Sequence, residues 1–157
     1  MDMNATINET IATLNDLTEI LKDGEFGFRT AAKDVKASEL IALFERYATQ
    51  RAEFAAALQA HVSNLGAKVE QAGTVAGDLR RGWMNLTAAL STNESHAVLV
   101  VVERGEDAAV TAYEKAIQDR NIDQPTRVVL NAQYTSIKAA HDHVRTLRDS
   151  SKYAKSV

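Results

Sequence analysis

The sequence predicts an all-α protein, a bundle of four long helices. Three observations predict it. One proline and seven glycines in 157 residues leave few breaks in the chain. Four long stretches carry apolar residues at helical spacing. Two of the links between these stretches are short and one is long, which fixes how the helices must be arranged.

The first helix is expected from about residue 5 to 34, behind a capping box at Thr6-Ile7-Asn8-Glu9. Ile7, Ile11, Leu14, Leu21, Phe28 and Ala32 form its inner stripe, and Glu25 falls on that stripe between Leu21 and Phe28. The second helix is expected from Ser38, as cap, to Leu65, with Gly66 as the stop. Its stripe holds Leu40, Phe44, Tyr47, Phe54, Leu58, His61 and Leu65, and Arg51 lies on it too. Residues 66–92 connect, with a short amphipathic helix marked by Leu79, Trp83, Leu86 and Leu90. Trp83 reads as a packing anchor.

A second capping box, Ser91-Thr92-Asn93-Glu94, precedes a third long helix at about 93–119, striped by Leu99, Val102, Val110, Tyr113 and Ile117. Glu106 lies on the stripe beside Gly105. The fourth helix, about 124–149, begins near Pro125, where proline is tolerated. Leu130, Tyr134, Ile137, His141, Val144 and Leu147 line its inner side. One domain over residues 1–150 is expected, with 151–157 as a frayed tail.

The short links make two antiparallel hairpins. A neighbouring antiparallel helix needs a link of only about 2–8 residues, so residues 66–92 can run the length of the bundle and set the third helix parallel to the second. Such a single long crossover is the ferritin-like arrangement. The hairpins also resemble each other. "LKDGEFGFRTA" lies over "VERGEDAAVTA", and "LFERYATQRAEF" over "LNAQYTSIKAAH". Gly24-Glu25 then matches Gly105-Glu106, Tyr47 matches Tyr134, and Arg51 matches Lys138.

A four-helix di-iron site takes one Glu from each of two helices and Glu-x-x-His from each of the other two. Glu25 and Glu106 suit the first role. The Glu-x-x-His slots instead read Arg51-Ala52-Glu53-Phe54 and Lys138-Ala139-Ala140-His141. Arginine cannot coordinate and a protonated lysine repels a cation. The cations are therefore expected in the metals' electrostatic place. Glu25 would pair with Arg51, and Glu106 with Lys138, while Tyr47 and Tyr134 donate hydrogen bonds. Gly24 and Gly105 would admit a close neighbour. The simpler alternative is a small helix rotation that takes both acids to solvent. Glu103 and Asp107 read as solvated flanks of Glu106, with Glu103 as a spare carboxylate should a metal bind. His61 and His141 read as core histidines, His96 and His143 as surface ones.

The composition excludes much. With no cysteine there is no disulfide, thiolate metal site or cysteine nucleophile. A formal charge of −3 argues against a nucleic-acid partner. The start, "MDMNATINET", lacks a basic-then-apolar leader pattern, and the run "AVLVVV" at 97–102 is too short to span a bilayer. A cytoplasmic protein with no membrane partner is expected. That run is apolar on every side, so either the crossover helix or a second copy of the chain, as a homodimer, must cover it.

"LKDGEFGFRTAAKDVK", "RAEFAAALQ", "RRGWMNL" and "ERGEDAAVTAYEKA" resemble a bacterial family of ferritin-like four-helix-bundle proteins without an assigned function. The resemblance covers about residues 8–149. It implies a ferritin-like bundle in a bacterial cytoplasm, some relatives being associated with stress responses, and it carries over no catalytic residue. The expected function is a non-enzymatic, metal-free interaction protein with no cofactor. The alternative is a divergent metal-binding or redox protein using Glu25, Glu106 and His141. A third reading is a small-ligand binder with a pocket beside Gly24 and Gly105.

Overall fold

The structure, a computed structural model, describes residues 3–68 and 80–154. Among the described residues it is all-α: α1 (Met3–Asp34), α2 (Ser38–Asn64), α3 (Leu86–Ser91), α4 (Ser95–Gln118) and α5 (Gln124–Asp149), closed by a 3-10 turn at Ser151–Tyr153. Helix α1 packs on α2 and on α4, and α5 packs on α4 and on α2.

Contacts between helix ends fix the directions. Thr10, early in α1, hydrogen-bonds the Asn121 carbonyl just past α4. At the other end, Phe28 and Val35 share a core cluster with Val98 and Leu99. Helices α1 and α4 are therefore antiparallel. His61, near the end of α2, bonds Thr126 at the start of α5, whereas Glu39 at the start of α2 meets Tyr153 beyond α5. Helices α2 and α5 are antiparallel as well. Since α1 turns back on itself through a three-residue link into α2, residues 35–37, α2 and α4 run the same way.

The core divides into two clusters. One holds Phe28, Phe44, Ala48, Trp83, Leu86, Leu90, Val98 and Val102. The other holds Leu14, Leu21, Ala55, Leu58, Val110, Tyr113, Leu130 and Ile137. Arg51 and Glu106 separate them. The crossover helix α3 joins the first cluster through Leu86, Ala89 and Leu90, alongside Val98 and Val101. The outer face of the "AVLVVV" run is thus covered from within the chain, so this run makes no case for a second copy.

Several helix ends differ from expectation. Helix α1 already runs through Thr6, so no capping box stands there. Ala37 rather than Ser38 caps α2. At the second expected box, Asn93 takes a left-handed φ of 60° and Thr92 accepts a hydrogen bond from the Glu94 backbone, which turns the chain before α4 starts at Ser95. Gly66, at φ 87°, ends α2 as its freedom from a Cβ allows. Asp123 caps α5 by accepting from the Thr126 amide at 3.2 Å, with Pro125 inside the first turn. The short crossover helix begins only at Leu86. Trp83 sits in the preceding turn, and Leu79 lies outside the described residues. The tail is not simply frayed: Tyr153 is buried and donates its hydroxyl proton to Glu39. No helix among the described residues is long and apolar enough to cross a membrane.

Candidate functional site

Two polar constellations occupy the middle of the fold, one interior and one on its flank. In the interior, Arg51 of α2 donates from Nη1 to Glu106 Oε1 at 2.5 Å and from Nη2 to Glu106 Oε2 at 2.7 Å. The side chains are 1% and 0% exposed, so neither charge has water to fall back on. The bidentate fork matches guanidinium to carboxylate and satisfies both acid oxygens at once. The guanidinium also lies over the Phe28 ring, 5.4 Å from its centroid. Tyr47 packs its ring 5.3 Å from Phe28. Burial, then the Glu106 charge, pushes the Tyr47 phenol above its ordinary range.

The pairing is not the one expected. Arg51 takes Glu106 from the second hairpin, not Glu25 from its own. Glu25 is partly exposed and pairs one turn along α1 with Arg29, at 3.1 Å. Lys138 faces outward to Asp142 at 2.7 Å, and Tyr134 donates to Glu114 at 2.7 Å rather than to an interior acid. The reason lies in reach. An arginine centred on α2 can span the diagonal to α4, whereas Lys138 and Tyr134 lie partly exposed on α5, each with a nearer acid. Glu25, Glu106 and His141 are accordingly not brought together.

The glycines explain what fills the remaining space. A Cβ on Gly105 would stand 2.1 Å from Trp83, and one on Gly27 would stand 2.3 Å from it. The indole is therefore wedged between α1 and α4, edge-on to Phe28 at 5.0 Å. Gly24, expected to share this role, meets Arg51 only at an ordinary 3.7 Å. Sequence reasoning passed over Gly27, because the repeat aligned Gly24 with Gly105. The turn that delivers Trp83 is held by Gly82, at φ 95°, whose missing Cβ leaves room for the Arg104 carbonyl. Arg81 anchors it further, bridging Asp23 at 2.5 Å and Glu19 at 3.1 Å.

On the flank, His141 of α5 faces Glu103 and Asp107, one turn apart on α4. His141 Nε2 lies 2.5 Å from Asp107 Oδ1 and 3.8 Å from Glu103 Oε1. Nδ1 lies 2.9 Å from Asp142 Oδ1. Hydrogen bonds from Lys138 first, and then from His141, hold the Asp142 carboxyl down at about 2. The other oxygen of Glu103 accepts from Arg148. Glu103 is buried, against its expected solvation, while Asp107 is exposed. The four-residue spacing of Glu103 and Asp107 was the available signal, since it puts both acids on one face of α4.

Residues 9–119 match the family described as Domain of unknown function (DUF2383). The chain belongs to this family. The curated proteins give no match. The DUF2383 segment contains Arg51, Glu106, Trp83 and both wedge glycines, together with Glu103 and Asp107. It stops before α5, so His141 and Asp142 lie outside the part of the chain that DUF2383 describes.

Proposed function

We propose that the protein is a ferritin-like four-helix bundle that acts by binding rather than by catalysis, its interior closed to the dimetal chemistry of that architecture. The two antiparallel hairpins and the long crossover between them support the fold reading. One observation carries the functional one. The level of the bundle at which carboxylates would gather around metal is occupied by the Arg51–Glu106 ion pair, which uses both oxygens of the carboxylate. A guanidinium is a permanent positive charge and cannot be displaced by deprotonation.

Aerobic Fe²⁺ oxidation by the purified protein tests the reading. Glu106→Gln should oxidise iron no more slowly than the unaltered chain. Oxidation that disappears in Glu106→Gln would refute it. The bacterial, cytoplasmic and stress-associated setting belongs to the proposal and is supported by the resemblance in sequence. Self-association as a homodimer belongs to it too, and mass in solution decides that point.

A further inference from the structure

We propose that Glu103, Asp107 and His141 form a binding site for one first-row divalent transition ion on the α4–α5 flank, separate from the interior pair. Their donor atoms lie within 4.8 Å of one another. Two carboxylates and a neutral imidazole offset the charge of a divalent ion, and mixed nitrogen and oxygen donors favour ions from Mn²⁺ to Zn²⁺ over Mg²⁺ or Ca²⁺.

The imidazole is held on both sides. Both of its nitrogens face carboxylate oxygens, Nδ1 toward Asp142 and Nε2 toward Asp107. A neutral ring has one N–H to give. In the tautomer that donates Nδ1–H to Asp142, the Nε2 lone pair faces Asp107 and Glu103. That arrangement is repulsive unless a positive charge lies between them, either a proton on Nε2 or a metal ion. The Asp142–His141 bond is the carboxylate–histidine contact that orients metal-bound imidazoles. Arg148 performs a similar task for Glu103, holding one oxygen and turning the other toward His141.

Metal–donor bonds of about 2.0–2.2 Å set neighbouring donors about 3 Å apart. Glu103 and His141 need little adjustment. Asp107 must withdraw slightly from Nε2, and its 59% exposed side chain is free to do so. Three protein donors leave the remaining coordination positions to water on the open side.

Titration of the full chain with Co²⁺ and Zn²⁺, read by visible absorption and calorimetry, tests the site. One equivalent should bind. Asp107→Asn, at an exposed position, should weaken binding at least about tenfold without changing the circular dichroism, and Glu103→Gln should act likewise. The double variant Arg51→Met/Glu106→Leu, which replaces the interior pair without stranding a charge, should leave the affinity unchanged, so this site can fail while the interior reading stands, and the reverse. Imidazole ¹⁵N shifts should show Nε2 coordinated when Zn²⁺ is present. No stoichiometric binding, an affinity indifferent to Asp107→Asn, or a His141 Nε2 whose ¹⁵N shift does not move in excess Zn²⁺ would each overturn the proposal.

Discussion

Arg51 on α2 and Glu106 on α4 meet fork to fork across the diagonal of the helices, with neither side chain reaching water. Coulomb attraction in such a place is strong, and so is the cost of desolvating each ion. Removing one partner strands the other. Arg51→Met or Glu106→Gln alone should lower unfolding free energy by about 3–5 kcal/mol. Arg51→Met combined with Glu106→Leu should recover most of that loss, measured by urea denaturation. Equal losses in single and double variants would mean that packing, not charge, governs the layer.

The helix glycines of α1 and α4 separate in their consequences. Gly105→Ala and Gly27→Ala drive a methyl into the indole of Trp83, and each should cost about 1–3 kcal/mol or more. Gly24→Ala meets Arg51 at contact distance only. It should be neutral, or stabilising by up to about 1 kcal/mol, since alanine suits a helix interior better. Thermal midpoints of the three variants provide the comparison. Trp83→Ala should lose about 3–5 kcal/mol, as for other large buried aromatics.

Alkaline pH should release the C-terminal turn. Burial, and then the hydrogen bond to Glu39, raises the Tyr153 phenol to about 12 from its ordinary 10. A raised acid constant in the fold means that the neutral form is the one stabilised. The contribution is therefore complete below pH 10 and disappears as pH climbs through about 12. Ultraviolet titration should show a tyrosine ionising near 12 that Tyr153→Phe removes.

The first turn of α5 is capped by one side chain. Asp123 accepts from the Thr126 amide, one of the four donors that a helix leaves open at its N-terminus. Asp123→Ala should cost about 1 kcal/mol. Hydrogen exchange should speed up in the first turn of α5 and nowhere else.

Much of this was legible in the sequence, and the exceptions share a cause. Helical periodicity located the four long helices to within a few residues, because apolar spacing and breakers act locally. Pro125 and Gly66 marked their boundaries for the same reason. The helix caps at Ser38 and Ser91–Glu94 were misplaced, since the chain entering each helix decides which residue caps it. Arg51 and Glu106 could both be assigned to an inner stripe. Which acid Arg51 would choose depended on distances across the bundle, which a stripe does not encode. Gly27 and the flank set of Glu103, Asp107 and His141 were missed likewise. Their meaning arises only when the crossover turn and α5 are laid against α4.

Two hairpins so alike in sequence, joined by a long tether, could in principle trade places between two copies of the chain. Trp83 discourages the exchange. It is carried by the tether and fits only a slot cut half from the first hairpin, at Gly27, and half from the second, at Gly105. Arg81 and Gly82 fix where on the tether that indole sits, so both hairpins must be supplied at a set distance from it. A swapped assembly would have to rebuild this slot from two separate molecules, and one bulky ring thus acts as a proofreader of which halves belong together.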